Sequence, residues 1–293
     1  MKALIIGGSG QVGSHLSNKL TNLGKSVTIT HHRQATSNSI FLDIVSKDKV
    51  HQLISEFKPT HIYLPAAATN VDECEKNPDS TFPVNVTGVQ NVVEAANLVN
   101  ARLIYFSTDY IFDGVNGPYD ESEPPNPICE YGKQKVYAEH CVLSSCKDFL
   151  IIRTTVVYGW EQQQKNFVIR LIAALREKKE VQVPIDQIGS PTFARNLAEA
   201  TIYLAESQER GIINVTGPEI VSRYEFACEA ARVFGVSEEF IKPVETQFLG
   251  QIAKRPLNLG LVVDKAVQLL DIPLLGYRDG LRKMVEQTPS SAL

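Results

Sequence analysis

No stretch of this sequence strings together the ~18 apolar residues that a bilayer-spanning helix requires, so no membrane partner is expected. The run Met1–Ile6 is too short for a secretory signal and stops at a glycine turn. Cysteine is scarce. The five present (Cys74, Cys129, Cys141, Cys146, Cys228) are an odd number with no Cys-x-x-Cys pair and no metal-like spacing. Six histidines show no ligand pattern either, and His31-His32 reads as a loop feature. A zinc site is therefore not expected, and the compartment is expected to be the cytoplasm. An excess of positive charge is also missing. Against 33 acidic residues stand 29 lysines and arginines, for a net charge of −4, which gives no electrostatic reason to expect nucleic acid or an anionic membrane surface. Internal repeats and low-complexity tracts are absent.

What is there reads as a soluble α/β chain. At 293 residues it has room for one large domain or a domain with a smaller lobe. Lys2 to Ile6 is a short apolar run, and a glycine turn (Gly7, Gly10, Gly13) follows it. A helical pattern through Leu16, Leu20 and Leu23 then stops at Gly24, and Ser26 to Thr30 is a β-branched strand. The alternation continues. Helices are expected over Asp48–Phe57 and Asp79–Asn97, and from Lys135 to Leu143. Strands are expected at His61–Leu64, Arg102–Phe106 and Phe149–Arg153. Such a rhythm predicts a doubly wound (Rossmann) parallel sheet with helices on both faces.

Beyond Tyr158 the rhythm loosens. Helix Asn166–Leu175 is followed by a strand at Val181–Val183, and Thr192 is expected to cap a helix through Ala205. Gly211–Val215 reads as a strand. Ser222-Arg223-Tyr224-Glu225 is a capping box before a helix to Phe234, and Asp264 is expected to cap a helix to Leu270. The tail after Glu286 is expected to be loose. The resulting division is a nucleotide-binding domain over 1–159, to which segments around 185–215 return, and a mostly C-terminal substrate lobe over 160–293.

Two stretches carry chemistry. Glycines at 7, 10 and 13 lie between a strand and a helix. There they permit a tight turn, close approach of backbone to a pyrophosphate, and packing of helix on strand. The spacing Gly-x-x-Gly-x-x-Gly is also compatible with a plain tight turn. In Tyr131-Gly132-Lys133-Gln134-Lys135, the tyrosine and the second lysine are four apart and share one helix face. A phenol beside a fixed ammonium can have a lowered pKa and can deliver a proton to a carbonyl oxygen as hydride reaches the carbon. Taken alone, the pair also fits an exposed helix start. The loop from Ser107 to Glu130 is too long for mere connection. Thr30-His31-His32-Arg33 ends the second strand without a carboxylate for a ribose hydroxyl. Arg33 can instead pair with a 2′-phosphate, or be a solvated loop residue. NADP(H) is the cofactor expected.

These stretches stand in the order found in extended short-chain dehydrogenases/reductases, which the chain resembles over nearly its whole length. Ser107-Thr108-Asp109-Tyr110-Ile111-Phe112-Asp113-Gly114 is similar to the dTDP-4-dehydrorhamnose reductase branch. So are Ala66 to Asp72, Asp186 to Thr192, and Arg255-Pro256. The resemblance implies that Thr108 holds a substrate carbonyl oxygen and that Tyr131 donates the proton. Lys135 would lower the pKa of Tyr131 and bind the nicotinamide ribose. Gly10, Gln11 and Val12 would meet the pyrophosphate, and Asp43-Ile44 would lie beside adenine, although Asp43 also fits a strand-end turn. Ala66, Ala67 and Ala68 would let the cofactor pass close to backbone. Asn85 would support the site, or be a core polar residue that kinks its helix.

One departure bears on the substrate. Where the bacterial reductases of this branch carry Arg-Thr-Ser-Trp-Val-Tyr, this chain has Arg153-Thr154-Thr155-Val156-Val157-Tyr158. Val156 replaces the tryptophan, and the chain's only tryptophan, Trp160, lies four positions on. The implied activity is NADPH-dependent reduction of a keto group on a nucleotide-linked deoxysugar. Slow turnover of dTDP-4-dehydrorhamnose, or none, is expected, with a true substrate that differs in the sugar or in the carrier. Rival readings are a reductase of another carbonyl compound, an epimerase or dehydratase, and a silent cofactor-binding subunit like the β subunit of methionine adenosyltransferase. A dehydratase is disfavoured because Asp109 is followed by Tyr110 and not by a second carboxylate. A small-molecule substrate is the expected partner. The oligomeric state is left open, with a homodimer among the options.

Overall fold

The computed structural model describes residues 1–288, so the part of the expected loose tail from 289 on lies outside the described residues. The chain begins β1 (Lys2–Ile6), α1 (Gln11–Asn22), β2 (Ser26–His31), β3 (Ser39–Phe41), α2 (Lys47–Phe57) and β4 (His61–Leu64). It continues through α3 (Val71–Lys76), α4 (Pro78–Phe82), α5 (Gly88–Val99), β5 (Arg102–Thr108), α6 (Glu130–Ser145) and β6 (Phe149–Thr154). Then come β7 (Val157–Tyr158), α7 (Phe167–Arg176), β8 (Val181–Pro184), β9 (Ile188–Gly189), β10 (Thr192–Phe193), α8 (Ala194–Glu206) and β11 (Gly211–Asn214). β12 (Val221–Ser222), α9 (Arg223–Val233), β13 (Ile241–Val244), α10 (Asp264–Leu269) and α11 (Tyr277–Glu286) close the described chain. No helix among the described residues is long and apolar enough to cross a membrane.

Seven strands form one parallel sheet in the order β11-β6-β5-β4-β1-β2-β3. Alternation along each strand feeds two cores. From β1, Leu4 and Ile6 pack with Val50 and Ile54 of α2, Val92 of α5 and Val142 of α6. Ala3 and Ile5 point the other way, toward Leu16 and Leu20 of α1, Leu197 of α8 and Ala266 of α10. Because helices cover both faces, the strands carry near-continuous apolar runs, and each fully buried Leu or Ile contributes about 1.5–3 kcal/mol. The strand order reverses between β1 and β4, and the crevice at their carboxyl ends is where such sheets bind ligands.

Residues after β6 divide between this sheet and a second core. β11 is the edge strand beside β6, and α8 packs on α1. Elsewhere Tyr158, Val168, Leu171, Phe226, Leu281 and Met284 build a core of their own from α7, α9 and α11.

Three expectations need correction. The helix expected over Asp79–Asn97 is broken: α4 ends at Phe82, a π turn covers Pro83–Thr87, and α5 starts at Gly88. Pro83 has no N–H to give to a regular ladder, and the wider turn carries Asn85 into the interior, where it is 1% exposed. Thr192 does not cap α8. Its N–H reaches the Val156 carbonyl (3.2 Å) and its hydroxyl donates to the Ser190 carbonyl (3.0 Å), which leaves Phe193 at the cap position. Asp264 is the first residue inside α10 and not its cap; from there its charge still favours the positive helix end. The capping box at Ser222 and Glu225 is present with both reciprocal bonds.

Candidate active site

The glycine turn is shaped by its neighbour across the crevice. Gly7 has φ +97°, and a Cβ there would lie 2.9 Å from the Ala66 backbone, so only glycine fits. The Ala66 N–H donates to the Ile6 carbonyl (3.1 Å), which fixes Ala66 beside the end of β1. Gly10 donates to the Gly7 carbonyl (3.1 Å) and opens α1 with no side chain capping its free N–H groups and no acid in its first turn. Those uncapped donors and the positive helix end suit an anion. Val12 packs into the core beneath. The Gln11 side chain is engaged away from the turn, which leaves its backbone N–H at the helix start. Oriented to satisfy both its ends, its amide donates to the Val157 carbonyl (3.2 Å) and accepts from the Gly159 N–H (3.1 Å). With Gln163 on the Ser9 carbonyl (3.3 Å), it ties the segment after β7 across the turn.

Thr108 ends β5, and Tyr131 and Lys135 lie one helical turn apart on the inward face of α6. All three are buried, at 6%, 8% and 3% exposure. α6 starts at Glu130, earlier than the helical pattern predicts, because Gly132 lets it come close. A Cβ on Gly132 would stand 2.2 Å from the Tyr110 carbonyl oxygen. Thr108 lies near enough to the Tyr131 phenol to act on its titration, and the Tyr131 ring meets Tyr110 edge-on at 5.9 Å. The lowered phenol pKa expected from the four-residue spacing is not found. Burial pushes Tyr131 well above its ordinary value, and the Thr108 contact only partly opposes this. Lys135 instead donates to the Phe106 carbonyl (2.6 Å) and lies 4.2 Å from the Tyr105 ring centroid. Burial brings its ammonium down to about 7, with the Glu139 charge one turn further opposing the fall. Glu139 is itself held by Arg153 through two bonds, of 3.1 and 2.8 Å.

Asn85 is a connector. It accepts from the Ala68 N–H (2.8 Å), donates to the Ala68 carbonyl (3.0 Å) and donates to Gln134 Oε1 (2.7 Å). Gln134 in turn donates to Thr81 (2.9 Å). The Ala66–Ala67–Ala68 segment and the helix bearing Tyr131 and Lys135 are thereby pinned to one buried amide. At the far end of the crevice, Asp43 caps its own turn by accepting from the Val45 N–H (3.0 Å). Ile44 is buried against Gly88, and its carbonyl accepts from Asn91 (3.0 Å). Arg33 is exposed just beyond β2, and His32 stacks on Phe41 nearby at 5.8 Å.

A cleft opens beside Thr108. It is lined by Asp109, Tyr110, Thr155 and Val156 together with Arg223 and Phe226. Asp109 is 1% exposed, and burial pushes its carboxyl up to about 6 although the Thr108 hydroxyl donates to it (3.2 Å) and Thr155 nearby also favours the charged form. Val156 has φ +44°, a conformation that costs a β-branched residue of order 1–3 kcal/mol. Trp160 does not stand in for the missing tryptophan. It lies in the second core, donating to the Met284 carbonyl (2.7 Å) and meeting Phe234 edge-on.

Sequence reasoning assigned no role to Gln134, Thr155 or Arg223, and read Asp109 only against the dehydratases. For Gln134 a signal existed, because three positions past Tyr131 puts it on the same helix face. Arg223 looked like filler within a capping box, and only the fold turns it toward the cleft.

Comparison with known proteins fits this geometry. A family profile described as the RmlD substrate binding domain matches residues 1–289. The dTDP-4-dehydrorhamnose reductase of Aggregatibacter actinomycetemcomitans is 32% identical, covering 97% of this chain and 98% of that protein. The methionine adenosyltransferase 2 subunit beta of Mus musculus is 27% identical, covering 96% and 86%. Among solved structures, the dTDP-4-dehydrorhamnose reductase of Bacillus anthracis in complex with NADP superposes with a TM-score of 0.90 at 30% identity, covering 98% of this chain and 100% of that one. The chain therefore belongs to the RmlD substrate binding domain family, that of the dTDP-4-dehydrorhamnose reductases.

Proposed function

We propose that this chain is an NADP(H)-dependent oxidoreductase that reduces a keto group on a nucleotide-linked deoxysugar. The observation that carries the reading is the buried cluster of Thr108, Tyr131 and Lys135 at the carboxyl end of β5. The cofactor-side residues suit a dinucleotide. Gly7 and Ala66 leave a cradle that a Cβ would fill, α1 offers uncapped N–H groups, and Arg33, exposed just beyond β2, could meet a 2′-phosphate. Residues 1–159 would carry the cofactor, and the wall from 160 onward would meet the sugar.

When bound, the nicotinamide supplies the hydride. The chain's residues do the rest. Thr108 orients the carbonyl oxygen next to Tyr131, whose phenol is protonated at neutral pH and placed to donate. The Lys135 ammonium lies one turn along the same helix face and favours the phenolate left behind. Asn85 keeps the Ala66–Ala68 backbone and α6 in register for the transfer.

The silent-subunit reading draws on likeness to the mouse β subunit. A complete set of three reaction groups favours the enzyme. NADPH oxidation against a panel of nucleotide-linked 4-keto sugars, with simple ketones as controls, tests the choice. The expected result is turnover of at least one nucleotide-linked sugar; no turnover of any carbonyl compound would favour the silent subunit.

A further inference from the structure

Most arginines on the inner walls of this protein are matched. Arg153 is paired with Glu139, and Arg255 with Asp72 at 2.8 Å. Arg223 is different. Its backbone is fixed, since its N–H donates to the Gln187 carbonyl (2.8 Å) and the Ser222–Glu225 capping box sets the helix start it belongs to. Its guanidinium lies 4.9 Å from the Phe167 ring centroid and forms part of the cleft wall. Among the described residues its side chain makes no hydrogen bond and no ion pair. The acid that acts on it, Asp109 in the same cleft, accepts from the Thr108 hydroxyl (3.2 Å), and among the described residues it makes no ion pair with Arg223. A second cation, Arg170 on α7, is close enough to repel it.

A half-buried guanidinium without a partner is unfavourable unless something restores its hydrogen bonds. Packing on an aromatic face holds the group while its N–H edge stays free, which suits bidentate capture of an oxyanion. Among the described residues that line the cleft, Arg223 is the one cationic side chain, and Val156, Ile188, Pro191, Val221 and Leu259 are apolar.

We propose that Arg223 is the anion-recognising residue of this cleft, taking an oxyanion of the substrate: a phosphate of a nucleotide carrier or a carboxylate on the sugar. The proposal rests on reading this cleft as the substrate site of a reductase. Arg223 sets which substrates enter, while Thr108 and Tyr131 act on the carbonyl.

The test is calorimetric titration of the NADP⁺-loaded protein with UDP, dTDP and glucuronate, for wild type, Arg223→Met and Arg223→Lys. Melting temperature and NADP⁺ affinity serve as checks on folding. With a carrier phosphate as the anion, Arg223→Met weakens UDP and dTDP binding by about 10- to 100-fold, and Arg223→Lys recovers part of it. With a sugar carboxylate, glucuronate binding falls in Arg223→Met and the two nucleotides are unaffected. Binding of all three probes unchanged in Arg223→Met, or no binding of any probe to wild type, overturns the proposal. Failure of the underlying reading looks different. Arg223-dependent binding without NADPH oxidation of any sugar would sink the reductase and keep the anion site. Normal turnover with unchanged KM in Arg223→Met would keep the reductase and sink the anion site.

Discussion

Replacing Asn85 by alanine tests whether one buried amide joins the cofactor and reaction halves of the site. The substitution removes bonds to the Ala68 N–H, the Ala68 carbonyl and Gln134 Oε1, and a longer one to Cys74 Sγ (3.9 Å). Each partner left unsatisfied in the interior costs about 1–3 kcal/mol. Water entering the space recovers part of this, so a net loss of about 3 kcal/mol is expected, or roughly 6–12 °C in melting temperature at ~2–4 °C per kcal/mol. NADP⁺ affinity should also fall, because Ala66–Ala68 is no longer held against β1 and α6. Asn85→Asp keeps the acceptor for Ala68 but loses both donations and buries a charge, so it should fare no better. Pairing Asn85→Ala with Gln134→Leu should give a non-additive result, with a coupling of about 1 kcal/mol, since the two amides share a bond. Thermal melts followed by cofactor titration measure all of this. An alanine variant that melts within about 1 °C of wild type and binds NADP⁺ unchanged would refute the connector role.

Arg33→Ala should weaken NADPH binding by about 10- to 100-fold and leave NADH nearly untouched; equal losses in fluorescence titrations with both cofactors would take discrimination away from Arg33. Lys135 holds its proton less tightly folded than unfolded, so from its folded pKa near 7 up to its ordinary value the unfolded chain binds more protons and stability rises with pH. The stability of Lys135→Met relative to wild type should therefore improve as pH falls from 10 to 7 and level off below, as read from denaturant melts; a pH-independent difference would show that Lys135 is not titrating there. Val156→Trp adds a large flat surface to the cleft wall and should raise kcat/KM for dTDP-4-dehydrorhamnose, which wild type should reduce slowly; efficient wild-type turnover would contradict that.

The sheet was legible because its strands are buried on both faces. Lys2–Ile6, His61–Leu64 and Phe149–Arg153 are apolar runs that stand out without a partner. The short strands β7, β9, β10 and β12 are two residues each and exist only through pairing across the chain, so no local pattern marks them. The proposed reaction residues were nameable because Tyr131 and Lys135 stand four apart and Thr108 lies in a stretch similar to the dTDP-4-dehydrorhamnose reductase branch, and both features can be read along the sequence. What spacing misjudged was electrostatics. Four residues between Tyr131 and Lys135 suggested a lowered phenol, but burial of both groups dominates the neighbouring charge. Gln11 shows a related limit, since its helix-start position is legible while its side chain's engagement with Val157 and Gly159 depends on a segment almost 150 residues away.

The central claim is that Tyr131 gives the proton to a sugar carbonyl, and steady-state NADPH oxidation by wild type and Tyr131→Phe measures it most directly. The assay uses whichever nucleotide-linked 4-keto sugar the wild type turns over, with NADP⁺ affinity determined in parallel. Losing only a hydroxyl, the variant should fold and bind cofactor as before, while kcat drops by roughly 10²–10⁴-fold. A kcat equal to wild type would contradict the assignment of Tyr131, and with it the reaction proposed for this cleft.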